Sequence, residues 1–176
     1  MNLVLIGYRA TGKTTLARLL AERLQWSWID ADVEIERRAG KSIARMFAED
    51  GESAFRDLEA QVIADLCAQE QLVLAAGGGA PLRPESRQAM RGGGTVIWLQ
   101  ARPETILRRM SADATTLARR PSLTDKNPLD EILHLLQRRE PIYRESAHLA
   151  IDTEGKTPVQ IVGEILGQLP LPMPNP

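Results

Sequence analysis

The sequence predicts a doubly wound α/β domain with five parallel strands, and three observations predict it. Short apolar runs alternate with helical patterns, the signature of βα units. A Gly-Lys-Thr loop stands between the first apolar run and an amphipathic stretch. A glycine triplet closes a later run, where an open α/β sheet gathers its functional loops.

Leu3 to Ile6 reads as the first strand and Lys13 to Leu24 as the helix after it. Leu16, Leu19, Leu20 and Leu24 recur there at three- and four-residue spacing, the stripe that faces a sheet. Ser27 to Ile29 is the second strand, ending at Asp30-Ala31-Asp32. A helix from Ser53 to Gln69 puts Phe55, Leu58, Val62, Ile63 and Leu66 on its buried face. The third strand, Leu72 to Ala76, runs into Gly77-Gly78-Gly79. A second triplet, Gly92 to Gly94, precedes the fourth strand, Thr95 to Leu99, and reads as a turn. Pro103 opens a helix to Met110, proline being suited to a first turn. Residues 111–127 are polar and aperiodic, the pattern of a mobile lid. A long helix from about Leu129, a strand from Leu149 to Ile151 and a helix from Pro158 to Leu169 complete a single domain, 1–169. The last stretch, 170–176, alternates prolines with little apolar surface and is expected to be disordered.

A chain of 176 residues, 43% hydrophobic and 26% charged, suits one globular domain. The net charge of −1 offers no field for nucleic acid or a membrane surface, so any anion site must be built locally. The single cysteine, Cys67, lies in a helical apolar pattern and is expected to fill the core. It excludes an intramolecular disulfide and a cysteine-cluster metal site. The N-terminal Met1-Asn2-Leu3-Val4-Leu5-Ile6 lacks the basic and long apolar regions of a signal peptide, and no run of 18 apolar residues occurs. A cytoplasmic protein is expected. His134 and His148 have no partner pattern and are read as structural.

Gly7-Tyr8-Arg9-Ala10-Thr11-Gly12-Lys13-Thr14 is a full G-x-x-x-x-G-K-[ST] motif in the strand–helix context that it requires. Glycines let backbone N–H groups wrap phosphate oxygens, and the helix that follows points its positive end at them. Lys13 is placed to reach the β- and γ-phosphates and Thr14 to ligate Mg²⁺. The candidate nucleotide contacts are Gly7, Ala10, Thr11, Gly12, Lys13, Thr14 and Thr15. The metal needs a carboxylate as well, and Asp30 and Asp32 are available at the end of the second strand. Residues i and i+2 on a strand share a face, so both can enter one pocket. A GTPase would carry N-K-x-D, which is absent; Asp152-Thr153-Glu154-Gly155 matches D-x-x-G but comes too late in the chain. A small-molecule kinase is the better class.

Further signals occur in a definite order: Asp30-x-Asp32, Phe55-Arg56, Gly77-Gly78-Gly79, Arg120-Pro121 and Arg139-x-Pro141-x-Tyr143. With the phosphate loop, this set resembles the shikimate kinase family over about residues 3–166. The resemblance implies the P-loop NTPase fold with strand order 2-3-1-4-5, and ATP-dependent phosphorylation of shikimate by a monomer. Shikimate carries a carboxylate and three hydroxyls, and arginine forks suit a carboxylate. Arg56 and Arg139 are therefore the candidate carboxylate ligands, with Gly77, Gly78 and Gly79 allowing close approach to backbone N–H groups. The resemblance further implies that Asp30 holds Mg²⁺ through water and that Asp32 binds the hydroxyls and accepts a proton. It also implies that Arg120 comes in with the lid and that Arg109 and Pro158 flank the adenine. The family usually has glycine where Ala10 stands and often threonine where Ala31 stands; Ala10 is expected to adopt a backbone conformation that an L-residue tolerates. The rivals are a gluconate or nucleoside monophosphate kinase and a non-catalytic nucleotide-binding module.

Overall fold

The structure, a computed structural model, describes residues 1–112 and 127–169. The expected lid is thus almost wholly outside the described residues, as are Arg120, Pro121 and the 170–176 tail. The strands are β1 (Asn2–Ile6), β2 (Ser27–Asp30), β3 (Leu72–Ala75), β4 (Gly94–Gln100) and β5 (Leu149–Asp152). The helices are α1 (Lys13–Leu24), α2 (Ala31–Ala39), α3 (Ile43–Glu49), α4 (Gly51–Cys67), α5 (Pro84–Gly93), α6 (Pro103–Ala112), α7 (Pro128–Ser146) and α8 (Pro158–Gln168). All strand pairings are parallel, in the order β2-β3-β1-β4-β5.

Alternation along each strand builds two cores. Val4, Ile6, Leu72, Leu74, Val96 and Trp98 face a cluster that α2, α3, α4 and α5 cover through Ile35, Met46, Phe55, Val62 and Met90. Leu3, Leu5, Val73, Ile97 and Leu99 face the opposite side, where α1 and α8 contribute Leu16, Leu20, Ile161 and Ile165. A third cluster joins Tyr8 to Ile106 and Met110 of α6 and to Ile132 and Leu136 of α7. It fastens these two helices to the loop after β1.

Three helices depart from the sequence expectation: α2, α3 and α5 were not foreseen. Each buries only two residues, Ala31 and Ile35, Ile43 and Met46, and Ser86 and Met90, too few to establish a period. The second glycine triplet is no turn. Gly92 and Gly93 end α5, and Gly94 begins β4 opposite Asn2. Side chains at 93 and 94 would run into the backbone of Cys67 and Asn2, so space, not flexibility, calls for glycine here. Cys67 is buried, and burial pushes its thiol up to about 11, an inert core filler as expected. His148 accepts the Val96 N–H through Nδ1 at 2.9 Å, a structural use.

Candidate active site

All five strands point their carboxyl ends to one edge, and the expected site residues gather there. Residues 7–12 connect β1 to α1. Gly7 has φ 139°, and a side chain there would sit 2.6 Å from the Leu99 carbonyl oxygen. The Thr11 hydroxyl donates to the Tyr8 carbonyl at 2.8 Å, while Lys13 Nζ donates to the carbonyls of Gly7 (3.0 Å) and Tyr8 (2.8 Å). Helix α1 begins at Gly12, with φ 94°, without a side-chain cap and without an acidic residue in its first turn. Its leading N–H groups and positive end therefore remain available to an anion. Thr14 and Thr15 are exposed on that first turn.

Ala10 corrects the expectation. Its φ of 60° is left-handed, a conformation that costs an L-residue roughly 1–2 kcal/mol. Ala10→Gly would relieve that strain but enlarge the unfolded ensemble, a smaller opposing effect. The net expectation is a gain of about 0.5–1 kcal/mol, read as a higher denaturation midpoint with unchanged slope. Unchanged or lower stability would show that the loop holds position 10 without strain.

Thr14 and Asp30 meet across the gap between α1 and β2. The Thr14 hydroxyl donates to Asp30 Oδ2 at 2.6 Å, and Asp30 Oδ1 accepts the Asp32 N–H at 3.0 Å. Asp30 thereby caps α2, and Asp32 lies in the helix's first turn, not on the strand. The same-face rule for strands is consequently the wrong reason for their proximity. Asp32 arrives there because the chain turns straight from β2 into α2. A hydroxyl and a carboxylate are hard oxygen donors suited to Mg²⁺, which takes most of its remaining ligands from water and phosphates. That division suits this site, since no group of three or more His, Cys, Asp or Glu capable of holding a metal occurs among the described residues.

A pocket of about 530 Å³ adjoins the loop, lined among others by Tyr8, Arg9, Phe47, Arg56, Gly78 and Arg139. The structure thus brings the two candidate arginines into one cavity, from α4 and α7. Arg56 donates to Glu59 at 2.6 Å and to Glu52 at 3.3 Å. The glycine triplet supports this geometry differently from the expectation. A side chain at Gly79 would collide with the Arg56 guanidinium, and one at Gly78 would press on Gly7 and Arg9 of the phosphate loop. The triplet makes room for an arginine and for the loop; neither Gly77 nor Gly79 lines the pocket, and Asp32 does not line it either. Tyr143 explains the Arg139-x-Pro141-x-Tyr143 pattern. Its hydroxyl donates to the Gly78 carbonyl at 2.5 Å, one helical turn beyond Arg139, pinning α7 to the triplet.

On the other side of the loop Arg109 reaches the carbonyl of Ala10 (3.4 Å) and the hydroxyl of Thr153 (3.3 Å). Thr153 is fully buried and donates to the Gln100 carbonyl, fastening the turn after β5 to the end of β4. Pro158 opens α8 just beyond, behind the Thr157–Gln160 capping box. Several supporting residues were missed: the α3 wall of Ile43, Ala44 and Phe47, the Arg9 partner Glu131, and Glu59. Only Glu59 left a signal, a carboxylate on the apolar face of its helix three residues after Arg56.

A loop shaped for polyphosphate beside a pocket furnished with arginines is the layout of a P-loop kinase that acts on a small anionic acceptor. Comparison with known proteins narrows this class. Residues 9–170 match the family model described as shikimate kinase. Curated shikimate kinases from Rhodopirellula baltica and Symbiobacterium thermophilum are each 44% identical over 169 residues, 96% of this chain and 90% and 96% of theirs. The solved shikimate kinase from Acinetobacter baumannii in complex with shikimate superposes with TM-score 0.87 at 38% identity, covering 94% of this chain and 90% of that one. The chain belongs to the shikimate kinase family and catalyses ATP-dependent phosphorylation of shikimate. A gluconokinase from Sinorhizobium meliloti, at 14% identity and TM-score 0.53, shares the fold alone.

Proposed function

We propose that the chain is a cytoplasmic, monomeric, Mg²⁺-dependent kinase that phosphorylates the 3-hydroxyl of shikimate, with the residue roles that follow. The convergence of Arg56 and Arg139 on one pocket beside the phosphate loop is the observation that carries this reading. Gly7 and residues 10–15 cradle the triphosphate, and Lys13 exchanges its loop carbonyls for the β- and γ-phosphate oxygens. Thr14 and Asp30 hold Mg²⁺, which neutralises phosphate charge when bound. Arg109 and Pro158 flank the adenine. Arg56 and Arg139 grip the acceptor's carboxylate, with Gly78 in the wall beside them. Arg120 stabilises charge on the moving phosphoryl group.

The acceptor hydroxyl oxygen attacks the γ-phosphorus as the bond to the bridging oxygen breaks. The electron pair leaves with ADP, and the hydroxyl proton passes to the Asp32 carboxylate. Positioning and charge neutralisation supply most of the rate. Asp32→Asn should lower kcat at least about a hundredfold if that carboxylate takes the proton. A coupled ADP-release assay measures it. A change confined to KM would leave Asp32 only a positioning role.

No helix among the described residues is long and apolar enough to cross a membrane. The acceptor itself is tested by the same assay over a panel of hydroxy acids. Turnover with gluconate or a nucleoside monophosphate in preference to shikimate would overturn the reading.

A further inference from the structure

The pocket's arginines differ in their partners. Arg9 donates to Glu131 at 3.0 Å and Arg56 to Glu59 at 2.6 Å, and both carboxylate side chains are only 2% exposed. Arg139 has no ion pair among the described residues. Its guanidinium lies 5.8 Å from the centre of the Tyr8 ring, which the ion-paired Arg9 also approaches, at 5.7 Å. Tyr8 is 1% exposed and packs with Ile106, Met110, Ile132 and Leu136. Its hydroxyl is buried and has no hydrogen-bond partner among the described residues. The part of Tyr8 that meets the pocket's arginines is its ring.

We propose that Tyr8 is a positioning residue for the acceptor's carboxylate, its ring holding the Arg139 guanidinium in place before the acceptor arrives. The inference rests on the reading that this pocket takes the carboxylate. An arginine without an ion pair samples many rotamers and must surrender that freedom on binding. An aromatic face attracts the cation without cancelling its charge, as a carboxylate would, and leaves the in-plane N–H donors for a two-pronged contact. Arg139 is thus held but still fully charged. Tyr8 also belongs to the phosphate loop, and its carbonyl accepts from Lys13 and Thr11. One residue therefore sets the acceptor's anchor relative to the phosphates.

The test compares Tyr8→Phe, Tyr8→Met, Arg139→Ala and the Tyr8→Met/Arg139→Ala double variant by calorimetry with shikimate and by steady-state kinetics. Tyr8→Phe keeps the ring and should bind shikimate within about twofold of the parent. Tyr8→Met should raise the shikimate dissociation constant about three- to tenfold, leaving the KM for ATP unchanged. In the Arg139→Ala background the same change should have no further effect, an outcome that a purely structural role would not produce. Thermal melting confirms folding, and Tyr8→Leu replaces Tyr8→Met if that variant does not fold. Unchanged shikimate affinity in Tyr8→Met, an equal loss in the Arg139→Ala background, or a parallel rise in the KM for ATP overturns the proposal. If Arg139→Ala itself leaves shikimate binding untouched, the carboxylate reading falls, and this inference with it. If Arg139→Ala weakens binding while Tyr8→Met does not, only the role of Tyr8 is lost.

Discussion

Lys13→Ala is expected to reduce turnover by about a thousandfold or more, the upper range for removing one preorganised donor from developing charge. The lysine is a full positive charge on the loop that wraps the triphosphate, so its loss also removes charge neutralisation. Folding should survive. Lys13 lies outside the buried stripe of α1, which consists of Leu16, Ala17, Leu20 and Ala21. Nζ makes only two part-buried hydrogen bonds, to the carbonyls of Gly7 and Tyr8, each of modest net worth to stability. The variant should therefore melt near the parent temperature while ADP release disappears. Near-native activity would remove the phosphate-site assignment altogether.

Loss of the carboxylate arginines should weaken shikimate binding and spare ATP binding. A hydrogen bond to a charged group is worth about 1.5–3 kcal/mol, so each Ala variant should raise the shikimate dissociation constant about 10- to 150-fold. The structure makes the two variants unequal in a second respect. Arg56→Ala takes from Glu59, whose side chain is 2% exposed, the guanidinium it meets at 2.6 Å. Breaking a buried pair this way costs up to about 3–5 kcal/mol, less here because Arg56 keeps 13% exposure. Arg139 has no ion pair among the described residues, and its removal should cost little stability. Arg139→Ala is then the cleaner test of binding. In Arg56→Ala, a second change of Glu59→Gln should restore stability without restoring affinity. Arg23, exposed on α1, is the control and should bind shikimate normally when replaced by alanine. Unchanged affinity in both Arg56→Ala and Arg139→Ala would leave a kinase of unknown acceptor.

How much of this was legible in the sequence differs by element. Helix α1 matches its expected bounds, Lys13 to Leu24, because leucines mark its buried stripe and the phosphate loop marks its start. The strands match to within a residue at either end, since each is a dense apolar run bounded by polar or glycine positions. Helices α2 and α3 left no such trace. They bury few side chains, and their charged residues pair within each helix, Glu34 with Arg37 and Arg38 in α2 and Arg45 with Glu49 in α3. Candidate site residues with distinctive chemistry, Lys13, Thr14, Asp30, Arg56 and Arg139, could be proposed from type and order. Their supports could not. Glu131 contacts Arg9 across 122 positions of sequence, and Tyr8 meets Arg139 only because α7 folds back over the loop. The left-handed backbone of Ala10 is equally invisible, because alanine is not the residue that such a conformation announces.

The twofold use of Asp30 carries a thermodynamic obligation. One of its oxygens accepts from Thr14, on the helix after the phosphate loop; the other caps the helix that begins with Ala31-Asp32. Were nucleotide binding to alter the first contact and acceptor binding the second, the two effects would have to be equal in size. If ATP tightens shikimate binding by some factor through this carboxylate, shikimate must tighten ATP binding by the same factor.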